Sequence, residues 1–193
     1  MNSYEDYESA AKLHLKYINK GFLPSLGMSF LILLYEAIDK NEKSVLIIKK
    51  INGKVVGFVS GSEGMKPIYL QLILNRLPSL VWALLPSLFS ITKVYKILEI
   101  LLISSKSKLP SSLPQQELLT IVVDPDYQGM GHADDLFNSL CNYFSKANVK
   151  GFRIVVGETL FRAHAFYKKL GSKAVGEIEV HKGINSIVYL KKI

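Results

Sequence analysis

Residues 121–133, reading Ile-Val-Val-Asp-Pro-Asp-Tyr-Gln-Gly-Met-Gly-His-Ala, are the part of the chain whose residue types and spacing could do chemistry. The β-branched run Ile121 to Val123 reads as a strand, Pro125 stops it, and Gly129 and Gly131 let backbone N–H groups converge on an anion. A helix beginning after Gly131 would aim its positive end at the same point. The expected ligand carries phosphate. Two common phosphate signatures do not fit: a P-loop needs Lys-Ser or Lys-Thr after its last glycine, where this chain has His132 and Ala133. A dinucleotide fingerprint needs glycine or alanine at position 134, which is Asp134.

The pattern that does fit is Gln128-x-x-Gly131-x-Ala133, preceded by Val123-Asp124-Pro125. It resembles the acyl-CoA-binding motif of the GCN5-related N-acetyltransferases. A second block, Ala163-His164-Ala165-Phe166-Tyr167-Lys168-Lys169-Leu170-Gly171, is similar to the late helix of that family, with its aromatic, its basic pair and its glycine stop. The interval between the blocks holds one helix and one strand, as the family arrangement requires.

The resemblance implies an α/β (α+β) fold with a mixed central sheet flanked by helices, acetyl-CoA as acyl donor, and a primary amine as acceptor. A small molecule such as an amino sugar or a lipid-linked intermediate is the expected acceptor. The implied cofactor-binding residues are Ile121, Val122 and Val123 on the strand, and Gln128, Gly129, Met130, Gly131, His132, Ala133 and Asp134 at the loop and helix start. Leu160, Ala163 and Tyr167 complete the set from the second block. Most of these contacts are main-chain in the family, so the side chains of Met130 and His132 are free to vary. Tyr167 matches the tyrosine that returns a proton to the departing thiolate, a role that needs an O–H. Glu117, at the start of the cofactor strand, is the implied general base, with Glu63, Glu158, His164 and His181 as further candidates. The ribosomal-protein branch of the family places a glutamate where this chain has Val155, which sets the chain apart from that branch. Leu160 stands where relatives often have asparagine, and Asp134 and Asp135 follow the phosphate loop where relatives often carry a basic and a small residue. These departures motivate a competing reading, a catalytically inactive chain that keeps the fold and CoA binding as an interaction protein. If CoA binds, both aspartate side chains must point away from its pyrophosphate.

Around this site, 193 residues suffice for one α/β domain spanning 1–193. The first residues carry Glu5, Asp6 and Glu8 and no apolar core, so no signal peptide is expected, and a single cysteine, Cys141, agrees with a reducing cytoplasm. Cys141 shares a helical face with Leu136, Phe137, Leu140 and Phe144, which reads as core filler. The four histidines lack ligand spacing, and no metal is implied. The net charge of +8 suggests an anionic partner. Its basic residues are not interleaved with a nucleic-acid-binding motif.

Periodicity and turn signals predict helices over 4–20 and 25–40, strands over 45–50 and 54–60 joined by Asn52-Gly53, and then strand 118–123 and helix 131–147. Strand 151–156, helix 160–169 and strands 174–181 and 185–191 follow. The family usually opens with a short strand, for which only Met1 to Ser3 are available. Residues 64–116 form an apolar, mostly helical insert before the cofactor strand, where relatives often have a short connection. Pro78 and Pro86 would interrupt a helix there and argue against a membrane span. Residues 66–110 contribute +5 to the net charge. The insert is open to three readings: helices packed over the sheet, a homodimer contact, or a cap or interfacial patch touching substrate or lipid.

Overall fold

Ser3 starts the first helix. Its hydroxyl accepts from the Asp6 N–H and the Asp6 carboxylate accepts from the Ser3 N–H, a capping box that satisfies two donors otherwise left open at a helix end. Helix α1 (Tyr4–Tyr17) therefore begins with no strand before it. The buried Asp6 carboxylate also meets Lys50 at 2.6 Å. The computed structural model describes residues 1–18, 22–88, 113–181 and 184–193.

After α1 a 3-10 turn (Leu23–Leu26) forms around Pro24, and Gly27, at φ +88, leads into α2 (Met28–Lys40). This turn delays α2 relative to the helix expected from residue 25, because proline suits the first turn of a helix but the glycine after it holds a φ that breaks helical geometry. Strands β1 (Ser44–Ile51) and β2 (Lys54–Ser62) make the expected hairpin, with Asn52 and Gly53 both at positive φ.

Helix α3 (Lys66–Leu88) then opens the insert. It runs through Pro78 and Pro86 instead of stopping at them, and its irregularity is a single non-helical residue, Arg76, with φ −136 and ψ 23. A break at that point relieves the clash of the Pro78 ring with the turn before it. Residues 89–112 of the insert lie outside the described residues.

The later half follows the expected order: β3 (Glu117–Val123), α4 (His132–Lys146), β4 (Gly151–Gly157), α5 (Phe161–Lys169), β5 (Lys173–His181) and β6 (Ile184–Lys192). Among the described residues the sheet runs β1-β2-β3-β4-β6-β5, and β3–β4 is its parallel pair. One core, on the α1, α2 and α3 side, includes Leu31, Tyr35, Ile38, Phe58 and Ile68; the other, under α4 and α5, includes Phe137, Leu140, Phe152, Ile154 and Tyr167. Cys141 packs against this second core, where burial pushes its thiol pKa up and disfavours the thiolate.

One irregularity in this sheet prepares the site. Between β2 and β3 the register slips at Ser60/Gly61, which leaves Leu119 as an extra residue on β3. A bulge bends its strand. On its other side β3 pairs with β4 only through Glu117 with Arg153 and Leu118 with Ile154. Beyond Leu118 the two parallel strands part.

Candidate functional site

Where β3 and β4 part, a cavity of about 520 Å³ opens. Ile121, Val122 and Val123 form one wall, and Thr159 to Ala163, at the β4–α5 turn and the start of α5, form the other. Tyr17 and Ile18 at the end of α1 and Gln128 close it. The β3 edge facing β4 is unpaired from Leu119 onward, so its N–H and C=O groups can bond an extended ligand as a neighbouring strand would.

The turn below β3 is held from several directions. Asp124 is buried, its N–H donates to Val56, and its carboxylate accepts from the Asp126 N–H and from the Tyr17 hydroxyl at 3.1 Å. That last bond ties α1 to the cofactor strand. The Gln128 side-chain amide donates to the Val123 carbonyl at 3.0 Å. Gln128 therefore folds the loop back onto the strand end, a positioning role that its motif alone did not reveal. Gly129 and Gly131 take φ +78 and +82, and Gly131 is the N-cap of α4 with no side-chain cap. The first N–H groups of α4 are thus left for an outside acceptor.

Asp134 and Asp135 do not face that acceptor position alone. Lys169 of α5 binds Asp134 at 2.9 Å, and Lys49 of β1 binds Asp135 at 2.8 Å, holding the Asp135 carboxyl below its usual range. Each acid thus has a lysine partner, which removes most of the expected repulsion of an anion at the helix start. Pairs this exposed add little stability, so their value is in charge placement.

Of the residues singled out from the sequence, Ile121, Val122, Val123, Gln128, Leu160 and Ala163 line the cavity, and Gly129 to Asp134 form the loop and helix start beside it. Tyr167 lies one turn beyond Ala163 on α5 but is not part of the cavity wall. It is buried among Phe137, Phe166 and Tyr189. Burial raises its phenol pKa.

Glu117 is not brought to the cavity. Its carboxylate accepts from Arg153 Nε at 2.8 Å, and Arg153 also donates to the Pro114 carbonyl. The pair sits where β3 and β4 are still joined, about 13 Å along the strand from Ile121 at 3.3 Å per residue. Glu117, named from the sequence as the base, is thus engaged by the Arg153 guanidinium away from the cavity, where the pair clamps the closed end of the cleft.

The other expected bases are also engaged. Glu63 pairs with Lys43 at 3.1 Å. His164 Nε2 meets the carbonyls of Gly157 and Glu158, which can only accept, so in a neutral ring this nitrogen carries the proton and Nδ1 accepts from the Tyr189 hydroxyl at 2.9 Å. His164 fixes the β4–α5 turn. Glu158 is exposed and its side chain does not line the cavity, and the side chain of His181 lies outside the described residues.

Several cavity residues escaped the sequence reading: Tyr17, Ile18, Thr159, Phe161 and Arg162. Tyr17 and Ile18 are far from the motif in sequence and carried no signal. Arg162 did carry one. A cation in the first turn of a helix opposes the helix dipole and calls for a reason other than stability.

The sequence profile of the acetyltransferase (GNAT) domain matches residues 112–193, which include the loop, α4 and α5. No curated protein matches the sequence significantly. Among solved structures, an N-acetyltransferase from Staphylococcus aureus Mu50 superposes with a TM-score of 0.63 at 13% identity, over 99% of this chain and 94% of that one. Ard1 from Thermoplasma volcanium gives 0.61 at 15% identity, over 100% and 94%. A candidate streptothricin acetyltransferase from Bacillus anthracis str. Ames, solved in complex with acetyl coenzyme A, gives 0.53 at 14% identity, over 82% and 68%. Residues 112–193 thus match an acetyltransferase (GNAT) domain profile over the glycine loop and both later helices, and the chain shares its fold with these acetyltransferases along its length.

Proposed function

We propose that the protein transfers an acetyl group from acetyl-CoA to a primary amine of a small molecule, with an amino sugar or a lipid-linked intermediate as the acceptor class. The observation that carries this is the open β3 edge beside a cavity of about 520 Å³, with Gln128 in its wall and the uncapped start of α4 three residues further along the chain. Bound there, acetyl-CoA would supply an activated thioester. The free N–H and C=O groups of β3 would align its amide-bearing arm, and the N–H groups of residues 129–134 would hold its pyrophosphate. Arg162 on the opposite wall adds a positive charge for the same anion.

The reaction joins the amine nitrogen to the acyl carbon, breaks the carbon–sulfur bond, releases one proton from nitrogen and returns one to sulfur. Tyr167 is the proposed donor to sulfur, since burial keeps its hydroxyl protonated. No carboxylate or imidazole lines the cavity among the described residues. The amine therefore arrives neutral or gives its proton to water. The same fact favours the second reading, a chain that binds CoA without turnover.

Mixing the purified protein with acetyl-CoA and a panel of amines, while following free thiol, separates these. Thiol release that depends on an amine supports transfer. No turnover on any amine together with no CoA binding by calorimetry overturns both readings, whereas CoA binding without turnover leaves the non-catalytic one. Replacing Arg162 by alanine is expected to weaken CoA about tenfold, the loss of one charge-assisted contact of about 1.5 kcal/mol, with kcat little changed. Unchanged affinity by calorimetry would remove Arg162 from the anion site.

A further inference from the structure

One face of α3 packs on α2 through Ile68, Tyr69 and Leu72, and the opposite face has no cover among the described residues. That open face presents Leu70, Leu74, Leu77, Val81 and Leu85, recurring at every third or fourth position, with Trp82 beside them. Leu74 is 79% exposed and Trp82 74%. Such a stripe is larger than the scattered apolar residues of an ordinary surface.

Charge identifies what would cover it. Helix α3 contains Lys66 and Arg76 and no aspartate or glutamate. Residues 66–110 as a whole carry a net +5 in sequence, on a chain of net +8. On the α2 side of α3, a cavity of about 300 Å³ is lined by Lys40, Gln71, Asn75 and Arg76. Glu36, also in its wall, accepts from both Lys40 and Arg76, which leaves one cation in excess. An apolar stripe on an acid-free helix within a net-positive stretch of sequence suits acyl chains next to anionic headgroups. A second copy of the chain would set one acid-free helix against another, which its charge disfavours.

We infer that the open face of α3 docks flat on an anionic phospholipid bilayer. By length and composition Lys66–Leu85 could also cross a membrane. Crossing would strip Ile68, Tyr69 and Leu72 from the core and put the Arg76 break in hydrocarbon. Lying in the interface keeps the α2 contact and places Trp82 at the depth that tryptophan prefers.

The chain has one tryptophan, so Trp82 fluorescence reports the contact directly. Vesicles of phosphatidylcholine mixed with phosphatidylglycerol should shift its emission to the blue and carry the protein down on sedimentation. Vesicles of phosphatidylcholine alone should bind at least about tenfold more weakly, and salt should reverse the difference. The double change Leu74→Asp with Leu77→Asp, at solvent-facing positions, should lower partitioning by at least about tenfold while CoA binding and circular dichroism are retained. Three results would overturn the inference: no shift and no sedimentation with the mixed vesicles; emission already blue in a vesicle-free monomer, which would mean that the stripe is covered within the chain; or a blue shift that follows protein concentration together with a dimer in sedimentation velocity. Vesicle binding is read without acetyl transfer, so its failure is distinct from failure of the enzymatic reading.

Discussion

Replacing Tyr167 by phenylalanine is expected to lower kcat by about 100-fold while CoA affinity changes by less than about twofold, since positioned proton donors contribute 10²- to 10⁴-fold. The substitution is a clean one. The ring, packed against Phe137, Phe166 and Tyr189, is kept, and only the hydroxyl is removed. A stability change below about 1 kcal/mol follows from the same facts. Burial raises the phenol pKa, so the group is protonated throughout the neutral range and the loss should not depend on pH there. Turnover within twofold of the parent would make Tyr167 a core aromatic and favour the non-catalytic reading.

Acidification from pH 7 to pH 4 is expected to cost about 3 kcal/mol of stability through His14 alone. His14 on α1 is buried and shares a 2.5 Å hydrogen bond with the Tyr35 hydroxyl of α2. Burial pushes its imidazole from 6.5 down to about 4. The unfolded chain therefore takes up the proton first, at 6.5, and the folded chain only near 4. Stability is fully present above pH 6.5, falls as the pH drops through that interval, and loses nothing further from this group below about 4. Urea unfolding of the parent and of His14→Gln across the range measures it: the parent should lose stability more steeply, and parallel curves would show that His14 does not report the core. Because Tyr17 and Ile18, one turn on, close the cavity, CoA affinity should weaken over the same interval.

How far the chain could be read in advance depended on how local each cause was. Asn52-Gly53 is a two-residue statement about φ, and the hairpin is where it placed it. The strand, turn and glycine corner of 121–133 work through backbone geometry, and residues 121–123 and 128 line the cavity beside the start of α4. Glu117 shows the opposite case. Strand-end placement made it a base by resemblance, but its partner Arg153 comes from β4, and nothing near Glu117 in sequence announces that pairing. Asp134 and Asp135 looked hostile to a phosphate for the same reason, since Lys169 and Lys49 neutralise them from other elements. Pro78 and Pro86 were weighed by local propensity, while the packing of α3 on α2 carries the helix through them.

By itself, then, the sequence determined the donor end of this protein: a glycine corner, a following helix and a late tyrosine helix, all specified by short-range backbone requirements that any surrounding fold must respect. Only the tertiary structure decided the rest. The bulge at Leu119 and the early end of β3–β4 pairing open the cavity, α1 closes it through Tyr17, and distant lysines settle the charge at its floor. Those features are sums over residues far apart in the chain, and electrostatics and packing act through space regardless of sequence distance.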